Sequence, residues 1–278
     1  MFYFQLKNEL WKLFGKKRTY IGFGAFLIAQ NAMLLAFRFT NWRKGAESML
    51  QGNGYLATEF ISALTVAVIM LIPQIMLLMP LYATLVGGDL VAKETEDGTL
   101  RMILSRPVSR VRLILVKWVA GVIFATLLVL ALGGVALLFA RLWFPWKGMF
   151  VFVPGEVFNV LSAPEGFQLY LWAQIFLAVN ASTMLTLALM FSCFNMKPAA
   201  ATILALSVLF FSVVVESIPF FEDYRPFLPT HHFRCWIYIF TKPIPWWRIG
   251  ESLSILLGFN ITFLVVGITN FQIRDIKS

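Results

Sequence analysis

Three groups of residues have types and spacing that bear on chemistry. The first is the pair His231 and His232, with Glu222, Asp223 and Cys235 close by. Imidazole, carboxylate and thiolate are all metal ligands. Adjacent residues point to different faces of a helix or strand, however, so the pair does not converge on one ion. The second is Gly15-Lys16-Lys17, which lacks the preceding glycine of G-x-x-x-x-G-K-[ST], so no ATP-binding phosphate loop is expected. Ser, Asp and His are too scattered to suggest a catalytic triad. These residues predict no catalytic and no metal site.

The third group is the stretch GGDLVAKETEDGTLRMILSRPVSRVRLILVK, Gly87 to Lys117, the longest charged run in the chain. Asp97-Gly98 signals a turn. Thr99 can cap a new helix. Leu100, Ile103 and Leu104 then share one face at i, i+3, i+4 spacing. Arg106 precedes Pro107, which breaks the helix. Ser109 can cap the next one. The product is a helix of two turns or less with a small apolar face. It is flanked by Glu94, Glu96, Asp97, Arg101 and Arg106, a shape suited to a groove on a partner.

What must position this helix follows from composition. Of 278 residues, 59% are hydrophobic and only 13% charged, and the mean hydropathy is +0.78. A soluble domain carries about 25% charged residues. The bilayer is therefore the natural solvent. The net charge of +9 sits in gaps between apolar runs, which reads as topology control and not as nucleic-acid binding. Residues 1–18 place Phe2, Leu6, Leu10, Leu13 and Phe14 at helical spacing among lysines, an amphipathic helix for the membrane interface.

Six spans follow, at about 20–37, 61–86, 113–140, 169–194, 199–219 and 249–271. Pro73 and Pro80 predict kinks in the second. With the N-terminus inside, the inner side holds 14 Lys and Arg against six acids, and the outer side nine against eight. That bias predicts both ends in the cytoplasm. The loop at 38–60 reads as polar, the one at 141–168 as rich in Trp and Pro, and Cys235–Phe240 as a re-entrant or interfacial segment. Cys193 and Cys235 then lie on opposite sides, too far apart for a disulfide. The fold class is all-α integral membrane, a single domain over 1–278.

The third group also carries a resemblance. Asp89, Glu94, Gly98, Thr99, Leu100, Leu104, Pro107, Ser109, Arg110 and Lys117 follow, in order and spacing, a pattern similar to that of ABC-2 family permeases of ATP-binding cassette transporters. The resemblance implies a permease subunit, most often of an exporter, in the inner membrane. It implies a coupling helix between spans two and three that receives a separate P-loop ATPase. Glu94, Glu96, Asp97, Gly98, Thr99, Leu100, Ile103, Leu104, Arg106 and Pro107 would form that docking segment. ATP and Mg would sit on the partner, and no cofactor on this chain. A second permease copy, identical or related, would complete the pathway. Two alternatives stand beside it: a complex that transmits force to a protein on the outer side, and a stand-alone carrier.

Within the spans, Gln30, Asn31, Gln74 and Asn180 suit either interhelical hydrogen bonds or the lining of a substrate path. Few charges are buried there, so an amphipathic or lipid-like cargo is expected. Glu216, at the outer end of span five, is expected to reach the solvated interface.

Overall fold

The computed structural model describes residues 2–105, 108–153 and 155–274. In hydrocarbon, backbone groups must bond within their own segment, so the apolar runs become helices. α1 (Phe2–Gly15) precedes α2 (Lys17–Phe39), α3 (Asn41–Gly52) and the single turn α4 (Ala57–Phe60). α5 (Ala63–Pro73) joins α6 (Met79–Glu96) through a π-helical turn at Gln74–Leu78. α7 (Thr99–Leu104) leads to α8 (Arg110–Trp143), then to a hairpin of β1 (Met149–Val153) and β2 (Val157–Leu161). α9 (Ala163–Ser192) and α10 (Pro198–Ser217) follow. A 3-10 stretch, Pro219–Phe227, leads to the short turns α11 (Pro229–His232) and α12 (Cys235–Tyr238), and α13 (Trp246–Ile273) ends the chain.

Six stretches among the described residues are long and apolar enough to cross a membrane: Thr19–Phe39, Ala63–Glu96, Arg110–Trp143, Ala163–Ser192, Pro198–Ser217 and Trp246–Ile273. This is an all-α membrane protein. The second span runs past Val86 to Glu96, because Gly87 to Ala92 are buried despite their polar neighbours. Pro73 lacks an N–H. The helix absorbs that gap by widening into the π turn directly after it, a common cause of kinks.

α9 is the centre of the bundle. Of its most apolar window, 67% is buried, against 22% for the first and sixth spans, which face outward. Close approach of α6 and α9 depends on small residues. A Cβ on Gly87 would collide with the Leu185 carbonyl. Beside it, the Ser192 hydroxyl donates to Gly88 O at 2.7 Å and accepts from the amides of Val91 (3.1 Å) and Ala92 (2.8 Å). Asn260 of α13 donates to Thr183 and accepts from Thr186, and Thr186 accepts from Trp118 of α8, so three helices share one polar knot.

One end of the bundle, the terminal face, carries α1, α7, the turn at 193–197 and the end of α13. Arg110 donates to the carbonyls of Phe271, Gln272 and Arg274, capping α13. Arg274 in turn donates to Phe194 O and Asn195 Oδ1. The opposite, distal face carries α3, α4, the hairpin, α11 and α12. Here two segments read as loops carry further structure, and one expectation needs correction. The 38–60 loop is largely the helix α3, and the 141–168 loop contains a hairpin whose turn needs Gly155 at φ +77°. Glu216 is also not solvated. It is paired with His231 and Arg234, each at 3.5 Å, because α11 folds back over the end of α10.

Candidate functional site

The terminal face holds a cavity of about 990 Å3 between α1, the end of α6, α7 and the start of α8. Ion pairs line it. Lys117 Nζ, on α8 and 1% exposed, lies 3.0 Å from Glu9 Oε2 and 2.8 Å from Glu94 Oε1. Lys12 Nζ closes the ring, 2.7 Å from Glu9 Oε1 and 3.0 Å from Glu94 Oε1. Two ammoniums and two carboxylates thus tie the interfacial helix to both arms of the loop that carries α7. Lys16 Nζ lies 4.0 Å from Asp89 Oδ2. Glu94 Oε2 is buried with no hydrogen-bond partner among the described residues.

The charges tune one another. Burial pushes the Glu9 carboxyl up, but Lys117 and Lys12 outweigh it and hold the group below its ordinary 4.5. Burial pushes Lys12 down, but Glu9 and Glu94 outweigh it and hold the ammonium above 10.5. The sign of the linkage follows. Glu9 contributes stability that is present above its unfolded value and is lost as pH falls through the lower folded value. Lys12 contributes stability that is present below its unfolded value and is lost as pH rises through the higher folded one. Docking of α1 should therefore hold from about pH 5 to about pH 10 and fail at both extremes. Limited proteolysis of the α1–α2 junction across pH checks this. Cleavage that is flat across both limbs would contradict it.

α7 is built locally. Asp97 ends α6, and Gly98 turns the chain in the left-handed region at φ +71°. Thr99 opens α7, but its hydroxyl turns back to donate to Glu94 O at 3.3 Å, closing the preceding helix. Ser109 caps α8, accepting from the Arg112 amide at 3.3 Å. Lys93 pairs with Glu96 at 2.8 Å and Asp97 at 3.1 Å on the outside of the turn. Leu100 is 1% exposed and Ile103 packs on the core, so both are used by the chain itself. Among the described side chains of α7, Met102 is the apolar one that faces outward, at 66% exposure. Arg106, Pro107 and the side chain of Leu104 lie outside the described residues.

The four polar candidates in the spans do not join this cavity. Gln30 is buried and donates to Leu132 O (2.9 Å) and Gln74 Oε1 (3.3 Å). Gln74 donates to Met70 O, and Asn180 to Phe233 O at 2.8 Å. Asn31 bonds its own helix at Leu27 O. Three of the four therefore tie segments together. The histidine pair splits: His232 meets Ser252 Oγ and Pro226 O, while His231 turns to Glu216.

Glu9, Lys12, Lys16 and Met102 were not among the candidates read from sequence. The only signals for the first two were an i, i+3 acid–base pair on α1 and the lone Lys117 in an apolar run.

Six spans, with an N-terminal helix tied by ion pairs to α6 and α8 on either side of a short loop helix, make up a polytopic membrane protein. The profile described as ABC-2 family transporter protein matches residues 9–222. The chain belongs to that family and is a membrane-spanning permease subunit of an ATP-binding cassette transporter. No curated protein matches the chain.

Proposed function

We propose that this chain is the permease half of an exporter, and that a separate P-loop ATPase subunit seats on α7 and the charged cavity. In this reading the terminal face is cytoplasmic, consistent with its excess of Lys and Arg. The membrane is the inner membrane, and a second permease copy covers part of the outward spans. ATP and Mg reside on the ATPase.

One observation carries the reading. The segments on both sides of α7 are tied to α1 by a ring of ion pairs, and α7 presents Met102 outward beside an open cavity. A helix fixed this way moves as a unit with α1, α6 and α8. A push on it reaches the second and third spans directly.

Met102→Asp tests it. The exposed site tolerates Asp in the free chain, but a lone carboxylate in an apolar contact should cost about 2 kcal/mol or more, a roughly thirty-fold loss of ATPase affinity. Permease-stimulated ATP hydrolysis should fall accordingly. Unchanged stimulation would remove α7 from the interface. Sidedness needs an introduced cysteine at Lys44 on α3, because Cys193 and Cys235 are both buried and burial pushes the Cys235 thiol up to about 12.

A further inference from the structure

On the distal face, the first three spans end at a common cavity of about 310 Å3. Arg38 and Phe39 close span one, Trp143 closes span three, and Ile61 lies just before span two begins. The cavity therefore sits where hydrocarbon gives way to headgroups. Phe39 and Trp143 are exposed there, as aromatic residues of that boundary are. The volume is at the small end for ligand sites, which run from about 300 to 1,000 Å3.

The charged residues of the lining are Arg38, Arg43 and Glu47. The Arg38 guanidinium stacks 4.5 Å over the Trp143 ring and lies 5.7 Å from that of Phe39. Its one hydrogen bond among the described residues runs from Nη1 to Trp143 O, at 3.5 Å, and no carboxylate there pairs with it. Stacking fixes the plane of the group and leaves Nε and Nη2 for another acceptor. Arg43 is engaged through Nε alone, 2.8 Å from Glu47 Oε1, so its terminal nitrogens have no acceptor among the described residues. Lys147 Nζ donates to Thr58 O at 3.2 Å, which brings a third cation to the rim. Glu59, beside Thr58, is not part of the lining. Two guanidiniums with open edges are complementary to an oxyanion that accepts forked N–H bonds, as phosphate does. Span one faces outward, with 22% of its most apolar window buried, so lipid reaches the cavity directly. The oxyanion found at the end of a span is the headgroup phosphate.

We propose that this cavity seats the phosphate of a phospholipid headgroup from the distal leaflet, held by Arg38 and, second to it, by Arg43. The inference rests on membrane insertion and not on the ATPase reading.

The test is native mass spectrometry of the full chain, released from detergent after titration with phosphatidylglycerol. Diacylglycerol with the same acyl chains is the probe without phosphate, and inorganic phosphate is the probe without chains. Wild type should retain phosphatidylglycerol and not diacylglycerol, and millimolar inorganic phosphate should not displace the lipid. Arg38→Gln should weaken retention about tenfold or more, the loss of a charge-assisted bond. Arg43→Gln should weaken it several-fold, and it carries the test alone if Arg38→Gln does not elute as a single species. Arg248→Gln is the matched control, because Arg248 also stacks on distal aromatic rings, at 5.5 Å from Tyr238 and Trp247, but lies outside this cavity. It should retain lipid as the wild type does. Equal retention of the two lipids, unchanged retention in the arginine variants of the cavity, or an equal loss in Arg248→Gln would overturn the site. Displacement by inorganic phosphate would make it a site for a free anion and overturn the lipid assignment.

Discussion

Lys117→Met should destabilise the full chain by about 3–5 kcal/mol, the cost of stripping one partner from a buried ion pair. Methionine matches the side chain as far as Cε and removes the ammonium, with its charge and its N–H donors. Glu9 and Glu94 would then face one another with Lys12 alone between them, at 2.7 and 3.0 Å. Lys12 is half exposed and cannot neutralise both. The first consequence is release of α1, seen as faster proteolysis near Gly15 and a lower unfolding midpoint in detergent. Adding Glu9→Gln to Lys117→Met should recover part of the loss, because the remaining Lys12 and Glu94 balance. A double variant as damaged as the sum of the two singles would show that the groups do not interact. Wild-type stability in Lys117→Met itself would show the ring to be dispensable.

Gly87→Leu should be at least as damaging, at about 3 kcal/mol or more. Its Cβ would meet the Leu185 carbonyl, and Ala188 Cβ at 2.9 Å. Backbone cannot swing aside as a side chain can, so α6 and α9 must separate. Separation strains the Ser192 bonds that hold the lower end of α6, and with it Glu94. Gly258→Leu on α13 is the matched control, because nothing lies within 4 Å of a Cβ there. The readout is the fraction of monodisperse protein on size exclusion. Loss for Gly87→Leu with recovery for Gly258→Leu is expected. Equal yields would contradict the close packing of these two helices.

The span positions were legible because hydrocarbon demands long apolar helices, and few other segments have that composition. The turn at Asp97-Gly98 and the Ser109 cap were equally legible, since their backbone chemistry is local. What escaped depends on distance in sequence or on weak patterns. Glu9 and Lys117 are 108 positions apart, and no spacing rule pairs them. The apolar face of α7 was visible as Leu100, Ile103 and Leu104, but only packing shows that Leu100 is consumed by the chain and that Met102 is exposed. α3 was read as a polar loop because its low hydrophobicity and its glycines hide an apolar stripe of Trp42, Ala46 and Met49. The hairpin was hidden by its short strands. Glu216 looked solvated because the fold-back of α11 over α10 leaves no periodic mark.

The docking we propose, of a P-loop ATPase on α7, is open to direct test. The most direct measurement is affinity purification of the tagged chain from its native membrane in mild detergent, with identification of every stoichiometric companion. A P-loop ATPase is expected with the wild type and its loss with Met102→Asp, while the permease itself stays folded. A permease that purifies repeatedly without an ATPase, or one that retains the ATPase after Met102→Asp, would contradict it.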